Sequence, residues 1–309
     1  MSAVTLNVPR STFATLARDY AELTKMRVTT LVVLTAWCGY HFGCLKSGIP
    51  SFSWGLFHAL LGIGLASGGT AALNEVMEHD IDGHMRRTAQ RPLPTGRMSL
   101  RHGVIVGLLM TVGGALYLDV ALNTLSGTLA LLTAFVYLAA YTPLKKVHPV
   151  CTFVGAFPGA MPGVLGWTAA RGRLEWETLV LFAIVFFWQF PHFFSIAWLY
   201  RDDYAAGRIR MLPVVEPDGK STSLRIILYS LVLIPVSLAP SFLGMAGRVY
   251  LVGALLLGAG LLYIGSRLTW LHDPLSAPRS KQRARQLLQA TVLYLPLLFV
   301  LMMLNPVSS

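Results

Sequence analysis

Residues 53–82 read SWGLFHALLGIGLASGGTAALNEVMEHDID, an apolar run of membrane-spanning length that ends in a dense acidic cluster. The chain has only 14 acidic residues, and Glu75, Glu78, Asp80 and Asp82 all fall in the closing turns of this one stretch. Carboxylates at the end of a membrane helix are costly to desolvate and call for a compensating cation or water. Hard divalent cations prefer oxygen ligands, and Mg²⁺ commonly takes one or two carboxylates together with substrate phosphate oxygens. The stretch therefore points to an all-helical membrane protein that holds a metal-bound phosphate at a helix end.

The rest of the chain agrees with that class. Of its 309 residues, 54% are hydrophobic and 13% charged, and the mean hydropathy is +0.59. A soluble domain carries about 25% charged residues. Nine apolar stretches near the length of a bilayer-spanning helix are read at about 28–46, 53–77, 101–120, 123–142, 150–169, 176–199, 224–243, 248–267 and 286–304. No linker separates domains, so residues 1–309 are expected to form one membrane-embedded unit, with 1–27 as a cytoplasmic N-terminal segment.

Placing the N-terminus in the cytoplasm puts all but Lys46, Arg171, Arg173 and Arg248 of the 25 Lys and Arg residues on the cytoplasmic side. The formal charge of +11 is thus topological. A nucleic-acid surface is excluded as its cause, because the basic residues are scattered over short loops. The first 27 residues carry no apolar signal-peptide core, and 11–25 read equally as a short amphipathic helix on the membrane surface or as a frayed tail. Cys38, Cys44 and Cys151 lack metal-ligand spacing and read as packing residues.

Three constellations could do chemistry. Asn74, Glu78 and Asp82 recur every fourth residue and form one slowly turning oxygen-bearing stripe on a helix. Glu75 and Asp80 are expected to point elsewhere, and Gly83 to end the helix. Arg86, Arg87, Arg91 and Arg97 follow closely, offering planar forks suited to phosphate. The second is Tyr141-Thr-Pro-Leu-Lys145. Taken alone, it is equally a phosphate-binding pair or a topology-determining Lys beside an interfacial Tyr. The third is WQFPHFFSIAWLYRDDYAAGRIRMLP at 188–213, in which Asp202 and Asp203 close an apolar stretch. His192 lies inside that stretch, where a histidine is either functional or hydrogen-bonded to a neighbouring helix.

Together and in this order, the motifs resemble the UbiA superfamily of intramembrane prenyltransferases, and within it the protoheme IX farnesyltransferase family. The resemblance rests on Asn74-Glu-Val-Met-Glu-His-Asp-Ile-Asp82, Met85, Arg87-Thr88 and Arg91-Pro92, and on Tyr141 to Lys145. Gly155-Ala-Phe-Pro-Gly-Ala-Met-Pro162, Trp188-Gln-Phe-Pro-His192, Asp202-Asp203-Tyr204 and Met211-Leu-Pro-Val-Val215 complete it. It spans about residues 20–300. Two departures affect loop geometry: Met26 replaces a family proline, and Arg208-Ile-Arg210 stands where a shorter loop is usual.

The resemblance implies nine membrane helices around a central cavity and transfer of a farnesyl group from farnesyl diphosphate to a vinyl group of heme B. Heme O forms with a hydroxyl from water, and diphosphate leaves. It implies Mg²⁺ held by Asn74, Glu78, Asp82 and Asp203, with Asp202 as a further candidate. Arg27, Arg87, Arg91, Tyr141 and Lys145 would contact diphosphate, and His192 would face the heme. Heme B is a substrate here rather than a cofactor. The chain is expected in the plasma membrane of a prokaryote, alongside a later heme-modifying enzyme or oxidase assembly proteins. An acceptor of the quinone-precursor type is the alternative within the fold, although that family usually carries Asp where His192 stands. A secondary transporter fits less well, because the carboxylates gather at helix ends rather than at the bilayer midplane.

Overall fold

The structure, a computed structural model, describes residues 13–269 and 274–307. It is helical nearly throughout. A short helix α1 (Phe13–Leu23) precedes α2 (Met26–Lys46), α3 (Trp54–Asp82) and α4 (Leu100–Ala121). The next span is composite: α5 (Thr124–Phe135), a π-helical segment (Val136–Tyr141) and α6 (Thr142–Leu144) run on without a break. Then come α7 (Cys151–Arg171), α8 (Trp176–Leu199), two short helices α9 (Arg201–Ala206) and α10 (Leu212–Val215), and finally α11 (Lys220–Phe242), α12 (Arg248–Thr269) and α13 (Pro278–Leu304).

Eight of these spans are long and apolar enough to cross a bilayer. Helix α7 has comparable length at 21 residues, but its glycines and prolines lower its hydropathy, and most of its residues are buried. Start signals are local. Ser53, Ser99 and Asn123 cap α3, α4 and α5 by accepting from the backbone N–H of Leu56, His102 and Ser126. Helix α3 runs through the acidic cluster to Asp82 and gives way at Gly83, as expected. One boundary differs from the apolar pattern: α13 begins at Pro278 rather than near 286. Residues 278–285 are thus helical, with Ser280 and Ala284 buried, and not a solvated connector.

Small residues set the helix spacing. A Cβ on Gly39 of α2 would lie 1.9 Å from the Gly163 carbonyl oxygen of α7, and one on Gly166 would lie 1.8 Å from that of Ala36. Between α3 and α4, a Cβ on Gly69 would lie 2.4 Å from the Thr111 amide nitrogen. Lipid tails give helices little hydrophobic reason to associate, so close backbone approach supplies the attraction. Gly166→Val is therefore expected to cost at least about 3 kcal/mol, the upper end of ordinary overpacking, because backbone rather than a side chain must move. A thermal melt in detergent checks this, and a wild-type midpoint would contradict it.

The bundle has two unlike ends. At one, Lys46, Arg171 and Arg173 converge on Glu175 at 3.6, 2.9 and 3.2 Å. These are three of the four basic residues that the charge pattern leaves off the cytoplasmic side. The hydrogen bond from Arg171 is the main reason that the Glu175 carboxyl falls from 4.5 to about 2. A depressed carboxylate stabilises the fold above its unfolded value and loses that contribution as pH falls toward the folded one. Melting temperature is thus expected to drop between pH 4.5 and about 2, and Glu175→Gln to flatten that slope. At the other end lie both acidic motifs.

Candidate active site

Helix α3 presents Asn74, Glu78 and Asp82 on one buried face, and each oxygen donor already meets a polar partner. The Lys25 ammonium donates to Asn74 Oδ1 at 2.6 Å, while Asn74 Nδ2 donates to Thr142 Oγ1 at 3.0 Å. Lys145 Nζ lies 2.8 Å from Glu78 Oε1 and 4.5 Å from the centre of the Tyr141 ring. Arg91 Nη1 lies 2.6 Å from Asp82 Oδ2, and its Nε lies 3.3 Å from Glu75 Oε1. Thr88 ties the loop back by donating to the Asp82 carbonyl.

The composite span explains how Tyr141 and Lys145 reach this face. Thr142 donates to the Tyr137 carbonyl five residues back, inside the π-helical register. A π-turn inserts one residue and rotates everything after it, and such turns favour functional sites. Here it carries Tyr141, Thr142 and Lys145 toward α3. Tyr141 also packs flat against Gly155 of α7, where a Cβ would lie 2.6 Å from its ring.

The second acidic motif sits at the same end. Gly207, just after α9, abuts Ile81 and Met85. The Arg87 guanidinium lies 5.1 and 5.5 Å from the Tyr200 and Tyr204 rings and donates to the Tyr204 hydroxyl at 3.4 Å. The loop after Asp82 therefore leans directly on the turn that carries Asp203. Beside it, His84, Arg86, Tyr200, Asp202, Asp203 and Lys281 line a polar cleft of about 280 Å³.

Not every expected residue joins the cluster. Asp203 is half-buried at the cleft. Asp202 is exposed and bonded to Lys281 of α13 at 3.1 Å, which makes it a tie between elements. Arg27 is exposed at the start of α2. His192 lies on α8 against α13, with Nδ1 2.9 Å from Thr291 Oγ1. Glu75, expected to point away, is instead 1% exposed beneath Arg91. Two further residues join the site, Thr142 and Lys25. Lys25 takes left-handed backbone angles (φ 46°, ψ 49°) between α1 and α2. That conformation costs a non-glycine residue roughly 1–2 kcal/mol, and here it aims the ammonium at Asn74. The signal for Lys25 was its place in the Thr24-Lys25-Met26-Arg27 stretch, read there only for its missing proline.

Cations and carboxylates thus neutralise one another before any ligand arrives. Burial opposes the Lys145 ammonium, but the facing Tyr141 and Glu78 raise its pKa overall. Arg91 is likewise opposed by burial and raised by Asp82 and Glu75. Both side chains remain positive.

The UbiA prenyltransferase family model matches residues 31–290. The chain belongs to the UbiA prenyltransferase family. A relative from Koribacter versatilis, named protoheme IX farnesyltransferase, is 62% identical over 99% of both chains. Among solved structures, one described for digeranylgeranylglyceryl phosphate synthase has a TM-score of 0.72 at 15% identity, covering 94% of this chain and 98% of its own. A UbiA homologue from Archaeoglobus fulgidus, solved with GPP and Mg²⁺, has a TM-score of 0.58 at 16% identity, covering 92% and 99%. At those identities the structures establish the UbiA fold.

The donor set suits the Mg²⁺ that this family's fold implies. Asn74, Glu78, Asp82 and Asp203 offer only hard oxygen atoms. Among the described residues no three His, Cys, Asp or Glu side chains gather into a self-sufficient metal cage. An ion that completes its shell with substrate phosphate oxygens does not need one.

Proposed function

We propose that the chain transfers a farnesyl group from farnesyl diphosphate to a vinyl group of heme B, with water supplying a hydroxyl, giving heme O and diphosphate. The observation that carries this reading is 62% identity, end to end, to a protoheme IX farnesyltransferase. The local geometry supports it, because buried carboxylates and buried cations meet at one end of a UbiA bundle.

Cleaving the allylic C–O bond builds negative charge on the departing diphosphate, so a group already positive at that point lowers the barrier. Lys145, Arg91 and Lys25 are held there by Glu78, Asp82 and Asn74, and Arg87 by Tyr200 and Tyr204. Mg²⁺, held by Asn74, Glu78, Asp82 and Asp203, would neutralise diphosphate charge when bound. Lys145 and Arg91, poised against Glu78 and Asp82, would face the phosphates, with the Tyr141 hydroxyl as a neutral donor. Arg27, exposed at the start of α2, would be an outer contact. Asp202 would tune the cleft through Lys281 rather than ligate. The apolar interior shelters the allylic cation from water, and His192 faces the macrocycle.

The positive-inside pattern supports an acidic end facing the cytoplasm, and the reading puts the chain in a prokaryotic plasma membrane. The farnesylated product leaves into the same bilayer, where a later heme-modifying enzyme or oxidase assembly protein would receive it.

An acceptor competition tests this reading. Purified protein with Mg²⁺ and farnesyl diphosphate, offered equal heme B and an aromatic quinone precursor, is expected to modify the porphyrin alone. Prenylation of the aromatic ring would select the other branch of the family.

A further inference from the structure

We propose that Thr291 of α13 is a positioning residue that fixes the tautomer of His192, so that the Nε2 lone pair faces the heme iron; this rests on the reading that His192 meets the macrocycle. The argument is one of proton counting. The Thr291 hydroxyl has a single proton, and it goes to the Leu288 carbonyl at 2.7 Å. Its contact with His192 Nδ1, at 2.9 Å, must therefore be one in which the hydroxyl oxygen accepts. Nδ1 carries the hydrogen, and in a neutral imidazole Nε2 is left with its lone pair.

The ring cannot easily turn away from this arrangement. Trp188, one turn earlier on α8, stacks on it with centroids 4.7 Å apart and planes 19° apart. The same Trp188 donates its Nε1–H to the Thr291 backbone carbonyl at 2.8 Å, so hydroxyl and carbonyl of one residue hold both rings. Thr291 is fully buried, whereas His192 is half-buried. Nε2 makes no hydrogen bond among the described residues. Unlike Nε2 of His41, it is not sealed inside the protein. A histidine serving only to tie two helices needs its Nδ1 bond alone. One whose other nitrogen is open, deprotonated and locked has the arrangement of a metal-binding imidazole, whose remaining N–H is held by a neighbour.

The full chain in detergent, titrated with ferric heme B, tests this by absorption spectrum and apparent Kd. His192→Ala is expected to remove the histidine-ligated signature. Thr291→Val, nearly isosteric, is expected to weaken heme binding about tenfold and shift the spectrum, as loss of a residue behind a metal ligand does. Thr291→Ser should restore both, and affinity for farnesyl diphosphate should not move. If Val leaves no folded protein, Thr291→Ala carries the same comparison with Ser. In a His192→Gly background supplied with imidazole, Thr291→Val should add nothing. A wild-type heme spectrum from folded Thr291→Val, with His192→Ala impaired, overturns the role of Thr291 alone. A wild-type spectrum from His192→Ala overturns the ligand reading beneath it.

Discussion

Glu78→Gln is expected to lower diphosphate release about 10³-fold while the protein remains folded in the membrane. Glu78 is the central carboxylate of the α3 stripe and holds Lys145, itself 9% exposed, through a 2.8 Å contact. Glutamine keeps the volume and an acceptor oxygen for Lys145, so the ammonium is not stranded in an apolar setting. What disappears is the negative charge that a metal would share and that holds the Lys145 ammonium in the proposed diphosphate site. Alanine would confound the two effects, because breaking a buried pair by removing one partner costs about 3–5 kcal/mol. Phosphate-coupled detection of released diphosphate, alongside a thermal melt, separates them. Wild-type turnover from the folded variant would refute the assigned role.

Arg91→Ala is expected to damage both stability and activity. Arg91 is the ion-pair partner of both Asp82 and Glu75, at 2.6 and 3.3 Å. Without it, two buried carboxylates lose that partner and only Lys25 still acts on Glu75, a loss of about 3–5 kcal/mol for a broken buried pair. Turnover should fall as well, because the guanidinium is a proposed diphosphate contact. The double variant Arg91→Ala, Glu75→Gln distinguishes the two roles: it should recover part of the melting temperature, Asp82 remaining unpaired, and none of the turnover. Recovery of turnover would mean that Arg91 only neutralises Glu75.

The long helices were legible because a span in lipid is predominantly apolar, and eight of the nine expected stretches qualify as spans among the described residues. Even α7, with Pro158 and Pro162 inside it, announced itself by length between two charged turns. The stripe Asn74, Glu78, Asp82 was legible because helical spacing alone fixes a common face. Glu75 was not. Successive helix positions differ by about 100°, so it reads as facing away from Asn74. The loop after Asp82 folds back and brings Arg91 over it, and helical spacing carries no record of that loop.

The π-turn at Val136–Tyr141 likewise has no compositional mark, although it decides where Tyr141 and Lys145 point. Asp202 and Asp203 are adjacent in the sequence, and only the family resemblance ranked Asp203 first. They separate because α13 starts a full two turns before its apolar run, which brings Lys281 to Asp202. Thr291 offered no signal at all, since its role depends on a partner 99 residues away.

Mass analysis of the porphyrin tests the central claim most directly, after purified protein has been incubated with heme B, farnesyl diphosphate and Mg²⁺. A product heavier by one farnesyl group and one hydroxyl, formed only when all three are present, is the predicted result. Unmodified heme from folded protein, with farnesyl diphosphate consumed on another acceptor or left intact, would contradict it.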